Sequence, residues 1–247
     1  MQVQNLDLPA EWSRSRLGVM KGYEQFCPMA RASEVVTERW TPIIVRNLLA
    51  GCTTFSEILD AAPGLSKTLL SERLKRLEKY KIVELRDKPS GRGSTYHLSR
   101  LGFDLWPVLE AMGTWGSRWL DLEEEHLNPY LVLWDVSKLI DAKDLPDRRV
   151  VIRFDLTDLT RRNRFWLLLE PTGREVCDKH PGFEEDLIFT TATRPLALWH
   201  LGRVAIGEAL KDGLIQLEGS TAIKKDFLSK WQGLSMFAHI KPELQSP

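Results

Sequence analysis

The chain has 247 residues, no formal net charge, 43% apolar residues and nine tryptophans, which is material for one large or two ordinary domains with sizeable cores. Zero net charge excludes bulk electrostatic attraction to nucleic acid, so any such affinity must come from local clustering. No basic start precedes an apolar run and no stretch approaches about 18 uninterrupted apolar residues; neither a signal peptide nor a membrane span is expected, and the protein is expected in the cytoplasm.

Four helical patterns come first, over Pro28–Val36, Thr41–Leu49, Phe55–Ala61 and Ser66–Tyr80. Thr41 is expected to cap the second, with Pro42 in its first turn and Gly51 after its end, and Ser66 to cap the fourth after "PGL". The apolar period then shortens to that of a strand in "KIVELRDK", where Ile82, Val83 and Leu85 are apolar, and again in "STYHLS", with Tyr96 and Leu98. Between them "PSGRGS" breaks both periods and permits a hairpin with Arg92 at its tip.

Helix, short Pro-Gly turn, helix and a hairpin with a basic tip make a winged helix-turn-helix. If Leu70, Leu74 and Leu77 face the core, Thr68, Ser71, Glu72, Lys75 and Lys79 point the other way at about 100° per residue. The first half of such a helix meets base edges in the major groove, which nominates Ser66, Lys67, Thr68, Ser71 and Lys75 for DNA binding, with Arg92 on the wing. Ser66 to Arg100 holds ten Lys or Arg and four acids, a local excess of six in a neutral chain. Taken alone, a leucine-striped charged helix is most often a solvated face; the wing that follows shifts the balance to double-stranded DNA. Winged helices also serve as dimerisation modules in some enzymes, but no glycine-rich G-x-G-x-x-G cofactor loop follows a strand in this chain.

"YEQFCPMARASEVVTERWTPIIVRNLLAGCTTFSEI", "PGLSKTLLSERLKRLEKYKIVE" and "STYHLSRLGFDLWPVLEAMGTWG" together resemble the HxlR-type transcriptional regulators from about Tyr23 to Gly116. The resemblance implies a homodimer on a pseudo-palindromic operator. Thr37 stands where the family usually has Gly, and Ser99 where Thr is common; both bear on local caps more than on the DNA face. A physical argument also favours a dimer: "LGFDLWPVLEAMGTWGSRWL" reads as one long helix with Leu105, Leu109 and Met112 on one side and Trp106, Trp115 and Trp119 adding aromatic area. One small domain can hardly bury all of it.

"DLEEEHLNP" reads as a linker, dividing the chain into residues 1–126, for DNA binding and dimerisation, and 127–247, a smaller α+β domain for ligand binding or assembly. The overall class is α+β. A fragment ending at Glu125 is therefore expected to fold, dimerise and bind DNA alone. The second half reads as a helix from Tyr130 to Ile140, strands in "RVVIRFDLTD", "RFWLLLEP", "REVCDK" and "EDLIFTTAT", helices around "RPLALWHLG" and "TAIKKDFLSKWQ", and a strand "LIQLEG" between those helices. This order, a strand meander followed by helix, turn, strand and helix, resembles the sterol carrier protein type two fold. That resemblance implies a cavity for an apolar small molecule, which Phe165, Trp166, Phe189, Trp199 and Phe227 could line, although such rings are more often plain core.

No catalytic residues, cofactor or metal site are nominated: His200 in "ALWHLG" has no nearby nucleophile in sequence and reads as packed, and His97 on the wing strand suits phosphate contact. The odd number and wide spacing of Cys27, Cys52 and Cys177 argue against a disulfide framework. Cys27 precedes Pro28 at a helix start, near Lys21 and Arg31, where a thiolate is favoured, so a thiol sensor stands beside the reading of a small buried residue. The expected function is thus a dimeric DNA-binding regulator modulated by an apolar ligand. One alternative is a regulator switched at Cys27 with a structural second domain. Another is a lipid-handling protein that uses the winged helix only to dimerise.

Overall fold

The computed structural model describes residues 22–88, 91 and 93–243. The fold is α+β: a helix-turn-helix region with a two-stranded hairpin, then a region built on a five-stranded sheet. The first comprises α1 (Pro28–Val36), α2 (Thr41–Leu49), α3 (Phe55–Asp60), α4 (Lys67–Lys79), β1 (Val83–Asp87), β2 (Ser94–Leu98), α5 (Arg100–Phe103) and α6 (Trp106–Trp119). After a 3-10 turn at Glu124–His126 come α7 (Pro129–Leu139), β3 (Val150–Leu156), β4 (Arg164–Glu170), β5 (Gly173–Cys177), β6 (Leu187–Thr191), α8 (Thr193–His200), α9 (Ile206–Lys211), β7 (Ile215–Gly219) and α10 (Thr221–Ser229).

Local chemistry accounts for most boundaries and corrects several expectations. Thr41 does not cap α2; Trp40 precedes it in the left-handed region at φ 77°, and the buried Thr41 is already the first helical residue. At α3 the Glu57 carboxylate accepts from the amides of Thr53 and Thr54, both at 2.9 Å, while Thr54 Oγ1 accepts from Glu57 N, a reciprocal cap. The expected long helix after the wing is two, α5 and α6. Pro107 has no N–H to donate into a preceding turn, so the helix restarts there. Leu105 and Leu109 pack on the N-terminal core, but Met112 does not join them and lies exposed.

The sheet runs β5-β4-β3-β6-β7. Only β3, β4 and β5 form the expected meander; β6 crosses to the other side of β3 and pairs with it in parallel, with Phe154 opposite Phe189. Helix α9, over "IGEALK", was not anticipated from the sequence. Phe189, Trp199 and Phe227 pack ring on ring with centroids 5.5–5.8 Å apart, and Phe154 lies 4.9 Å from Phe189. Together with Phe165 they form the core between sheet and helices, whereas Trp166 is on the sheet's other face with Val151 and Leu168. His200 is packed, as the sequence suggests, with Nε2 2.9 Å from Asp135 Oδ2 and Nδ1 3.1 Å from the Gly233 carbonyl.

The two regions interlock. Leu133 and Val136 of α7 enter the second core, yet Trp134 on the same helix is buried in the first, and Tyr130 touches both. The chain's closing segment returns to α6, where the Phe237 ring lies so close to Gly113 that any side chain at 113 would collide with it. The amide of Glu243 donates to the Arg118 carbonyl at 2.8 Å.

Candidate nucleic-acid interface

Helix α4 is capped by Ser66, whose Oγ accepts from Leu69 N at 3.2 Å, and it is anchored by Leu70, Leu74 and Leu77, all buried. Those leucines recur every three or four residues, so the opposite face is left to water. Ser66, Lys67, Thr68 and Lys75 are exposed on it and Ser71 is half-buried. The face thus offers three short hydroxyls, that of Ser71 half-buried, and two ammonium groups, without a competing ion pair among the described residues.

Two further basic residues of α4 do other work. Arg76 pairs with Glu38 at 3.0 Å and donates to the Glu34 carbonyl at 2.8 Å. Arg73 pairs with the same carboxylate at 3.2 Å and donates to the Arg39 carbonyl. They tie α4 to α1 and to the turn before α2, fixing the angle at which the exposed face is presented. Counting charges along the sequence could not separate these two arginines from the lysines facing outward; the signal available was Glu38, an acid in the turn before α2.

The hairpin forms as expected, in register from Val83 opposite Leu98 to Asp87 opposite Ser94. It is fixed to the helices by Tyr96 N, which donates to the Thr53 carbonyl at 2.7 Å. Its tip turns at Gly91 and Gly93, with φ of 107° and 108°, angles that glycine adopts without strain. Arg92 lies outside the described residues. His97 is half-buried, its Nε2 2.9 Å from Thr95 Oγ1.

Cys27 sits at the N-cap of α1, partly exposed, with no side-chain cap bond and with Pro28 next. Lys21, expected beside it, lies outside the described residues. The other two thiols differ: burial pushes the Cys52 thiol up, and burial followed by the neighbouring Glu175 pushes Cys177 up to about 11. Among the described residues no cluster of His, Cys, Asp or Glu could hold a metal ion, and no helix is long and apolar enough to cross a membrane.

A family profile described as HxlR-like helix-turn-helix matches residues 35–124, which takes in α4, the hairpin and α6. The HTH-type transcriptional regulator YvaP of Bacillus subtilis is 37% identical over 99 residues, covering 39% of this chain and 92% of that protein. YodB, an HTH-type transcriptional regulator of the same organism, is 33% identical over 97 residues, covering 38% of this chain and 87% of YodB. A crystal structure of diamide-treated YodB superposes with a TM-score of 0.33 at 33% identity, over 36% of this chain and 91% of that one. A quinone-bound YodB structure also matches, at a TM-score of 0.31 and 33% identity, over 36% of this chain and 96% of that one.

Proposed function

This chain belongs to the HxlR-like helix-turn-helix family, and on that premise we propose that it regulates transcription as a homodimer that reads a pseudo-palindromic operator through α4. The observation that carries the reading is the division of α4 into a buried leucine stripe and an outward face of Ser66, Lys67, Thr68, Ser71 and Lys75. Short donors at the start of the helix suit base edges, and Lys75 with the wing's Arg92 suits phosphates.

The dimer reading is supported by α6. Val108, Met112, Trp115 and Trp119 form an exposed stripe along it, Trp115 at 59% exposure, and Leu101 and Phe103 of α5 are exposed beside them. A symmetric pairing through this stripe would place two reading helices on half-sites about 34–36 Å apart. Residues 127–247, beyond the family match, then serve to receive an effector or to brace the dimer. A lipid-handling protein that merely dimerises through the winged helix has no use for the outward chemistry of α4. Gel-shift assays with genomic fragments carrying inverted repeats test the proposal: retention on one repeat at a salt concentration that releases unrelated DNA supports it, and equal affinity for all fragments contradicts it.

A second reading is favoured by Cys27 alone. It is partly exposed at a helix start and adjoins the exposed Phe26 and Met29, so a covalent change there would act on the segment leading into α1. On this reading the thiol is the sensor, and the second half is structural.

A further inference from the structure

Residues 231–243 form a strap that leaves α10, packs on α7 and α8 and ends on α6, so it ties the second region to the helix-turn-helix region. It starts at Trp231, 1% exposed, whose Nε1 donates to the Asp144 carbonyl at 2.8 Å. Three glycines mark its track. Gly233, at φ 55°, lies so near α7 that a Cβ there would stand 2.6 Å from the Val136 carbonyl oxygen. A Cβ on Gly202, after α8, would stand 2.6 Å from the Ala238 carbonyl oxygen, and Gly113 of α6 leaves room for the Phe237 ring. The strap's amides hold the same path: Ser235 N donates to the His200 carbonyl and Glu243 N to the Arg118 carbonyl, both at 2.8 Å.

The side chain of His200 fastens the strap where it passes α7. His200 is 5% exposed, and both ring nitrogens face acceptors, Nε2 at 2.9 Å from Asp135 Oδ2 and Nδ1 at 3.1 Å from the Gly233 carbonyl oxygen. A carboxylate and a carbonyl only accept, so both bonds form only when the ring carries a proton on each nitrogen. A neutral ring has a single N–H. The ionised acceptor is the stronger of the two, so the remaining proton stays on Nε2 and the bare Nδ1 lone pair is left against the Gly233 carbonyl. Repulsion then falls on the strap and not on α7. Asp135 is the ion-pair partner of His200 among the described residues. Of the other charged groups nearby, Arg203 after α8 donates to the Ser117 carbonyl at 3.4 Å, and His239 of the strap is exposed. Arg46 of α2, which Asp135 influences from further off, is bonded to Asn47 and to the Ala61 carbonyl.

We propose that the strap is a proton-dependent latch: protonated His200 holds it on α7 and α8, and loss of that proton loosens it together with the contacts of Phe237 and Glu243 on α6. Histidine is the side chain that exchanges a proton near neutral pH. The protonated form makes one bond more, so the closed strap is favoured at low pH and weakens as the pH rises through the titration of the ring. Met236 and Phe237 line the same groove of about 400 Å³ as Trp115 and Trp119, so loosening the strap changes one wall beside the exposed stripe of α6. The latch stands whether or not that stripe forms a dimer.

Hydrogen exchange read by mass spectrometry on the full-length protein, at about pH 5.5 and about pH 8 and corrected for the intrinsic change in exchange rate, tests it. Peptides from the strap should be protected about tenfold less at the higher pH, while peptides from α10 should not change. Asp135→Asn is the discriminating variant. Its amide can donate to Nε2, so a neutral ring puts its proton on Nδ1 and keeps both contacts, and strap protection at the higher pH should return to the level seen at the lower one. A histidine that merely packs would leave the variant with the parent's protection at each pH. Nitrogen NMR of the histidine rings, with the His200 signals identified by their loss in His200→Gln, should show both nitrogens protonated at the lower pH and Nε2 alone at the higher. Equal strap protection at both pH values in the parent, a neutral His200 ring at the lower pH, or failure of Asp135→Asn to restore protection at the higher pH overturns the proposal.

Discussion

The guanidinium of Arg46 in α2 lies 5.6 Å from the centre of the Trp134 ring in α7, so the helix-turn-helix region and the first helix after the acidic stretch share one packing unit. Arg46 also donates to the Ala61 carbonyl at 3.1 Å, which links the same ring indirectly to the end of α3. Trp134→Ala in the full chain should cost about 3 kcal/mol or more, the usual scale for removing a buried aromatic side chain. A fragment ending at Glu125 should therefore unfold at lower urea than one ending at Asp141. Coincident unfolding curves for the two fragments would show that Trp134 is a bystander and that residues 1–126 are self-sufficient, as the sequence suggests.

The outward face of α4 and its inward arginines should separate experimentally. Thr68→Ala or Lys75→Ala should relax base preference or cost about 1–3 kcal/mol of operator binding, while Arg92→Ala should weaken binding to all DNA and lower the salt slope by about one. Arg76→Ala breaks the pair with Glu38 and the bond to the Glu34 carbonyl, so its first effect should be lower thermal stability with an unchanged salt slope. Anisotropy titrations across salt, with melting curves, make the comparison. A reduced salt slope in Arg76→Ala would place that arginine on the phosphates instead.

The three cysteines should rank by environment. Cys52 is buried and Cys177 is pushed up to about 11, so both stay as thiols near neutral pH, and labelling of Cys177 should accelerate only as the pH climbs toward that value. Cys27 should react first with a thiol-selective electrophile, and its modification should change operator affinity. Mass spectrometry ranks the sites, and slower labelling at Cys27 than at Cys52 would remove the sensor reading.

Glu57 offers a pH test of the α3 cap. Burial would raise its pKa, but the amides of Thr53 and Thr54 outweigh that and hold it below the usual carboxylate range. A depressed folded value means stability that is present above the unfolded pKa of about 4.3 and is lost as the pH falls through the folded value. Glu57→Gln should be less stable than the parent near neutral pH, by under about 1 kcal/mol for so exposed a group, and the two should converge in acid. A difference that persists unchanged at low pH would assign the effect to packing.

Much of this architecture can be read along the chain because its causes are local. The spacing of Leu70, Leu74 and Leu77, the cap at Ser66 and the glycines around Arg92 specify helix, turn and hairpin with no knowledge of the rest. What could not be read depends on distant partners. Arg73 and Arg76 look like DNA contacts until Glu38 is brought alongside, and Trp134 looks like part of the second region until α7 is laid on α2. The parallel pairing of β6 with β3 leaves no mark on either strand's own pattern. Helix α9 is six residues long with Gly207 inside it, too short to show a helical period, although Glu208, Ala209, Leu210 and Lys211 are good helix formers and Gly213 marks its end.

We propose that α4 reads sequence in double-stranded DNA as part of a dimer. Its most direct test is an anisotropy titration of the full-length protein on an operator taken from the DNA beside its own gene, compared with the same operator after insertion of five base pairs between the half-sites. Tight binding of two chains to the native spacing, lost with the insertion because it turns one half-site to the opposite face of the duplex, is the predicted result. Equal affinity for both spacings and for unrelated DNA would contradict it.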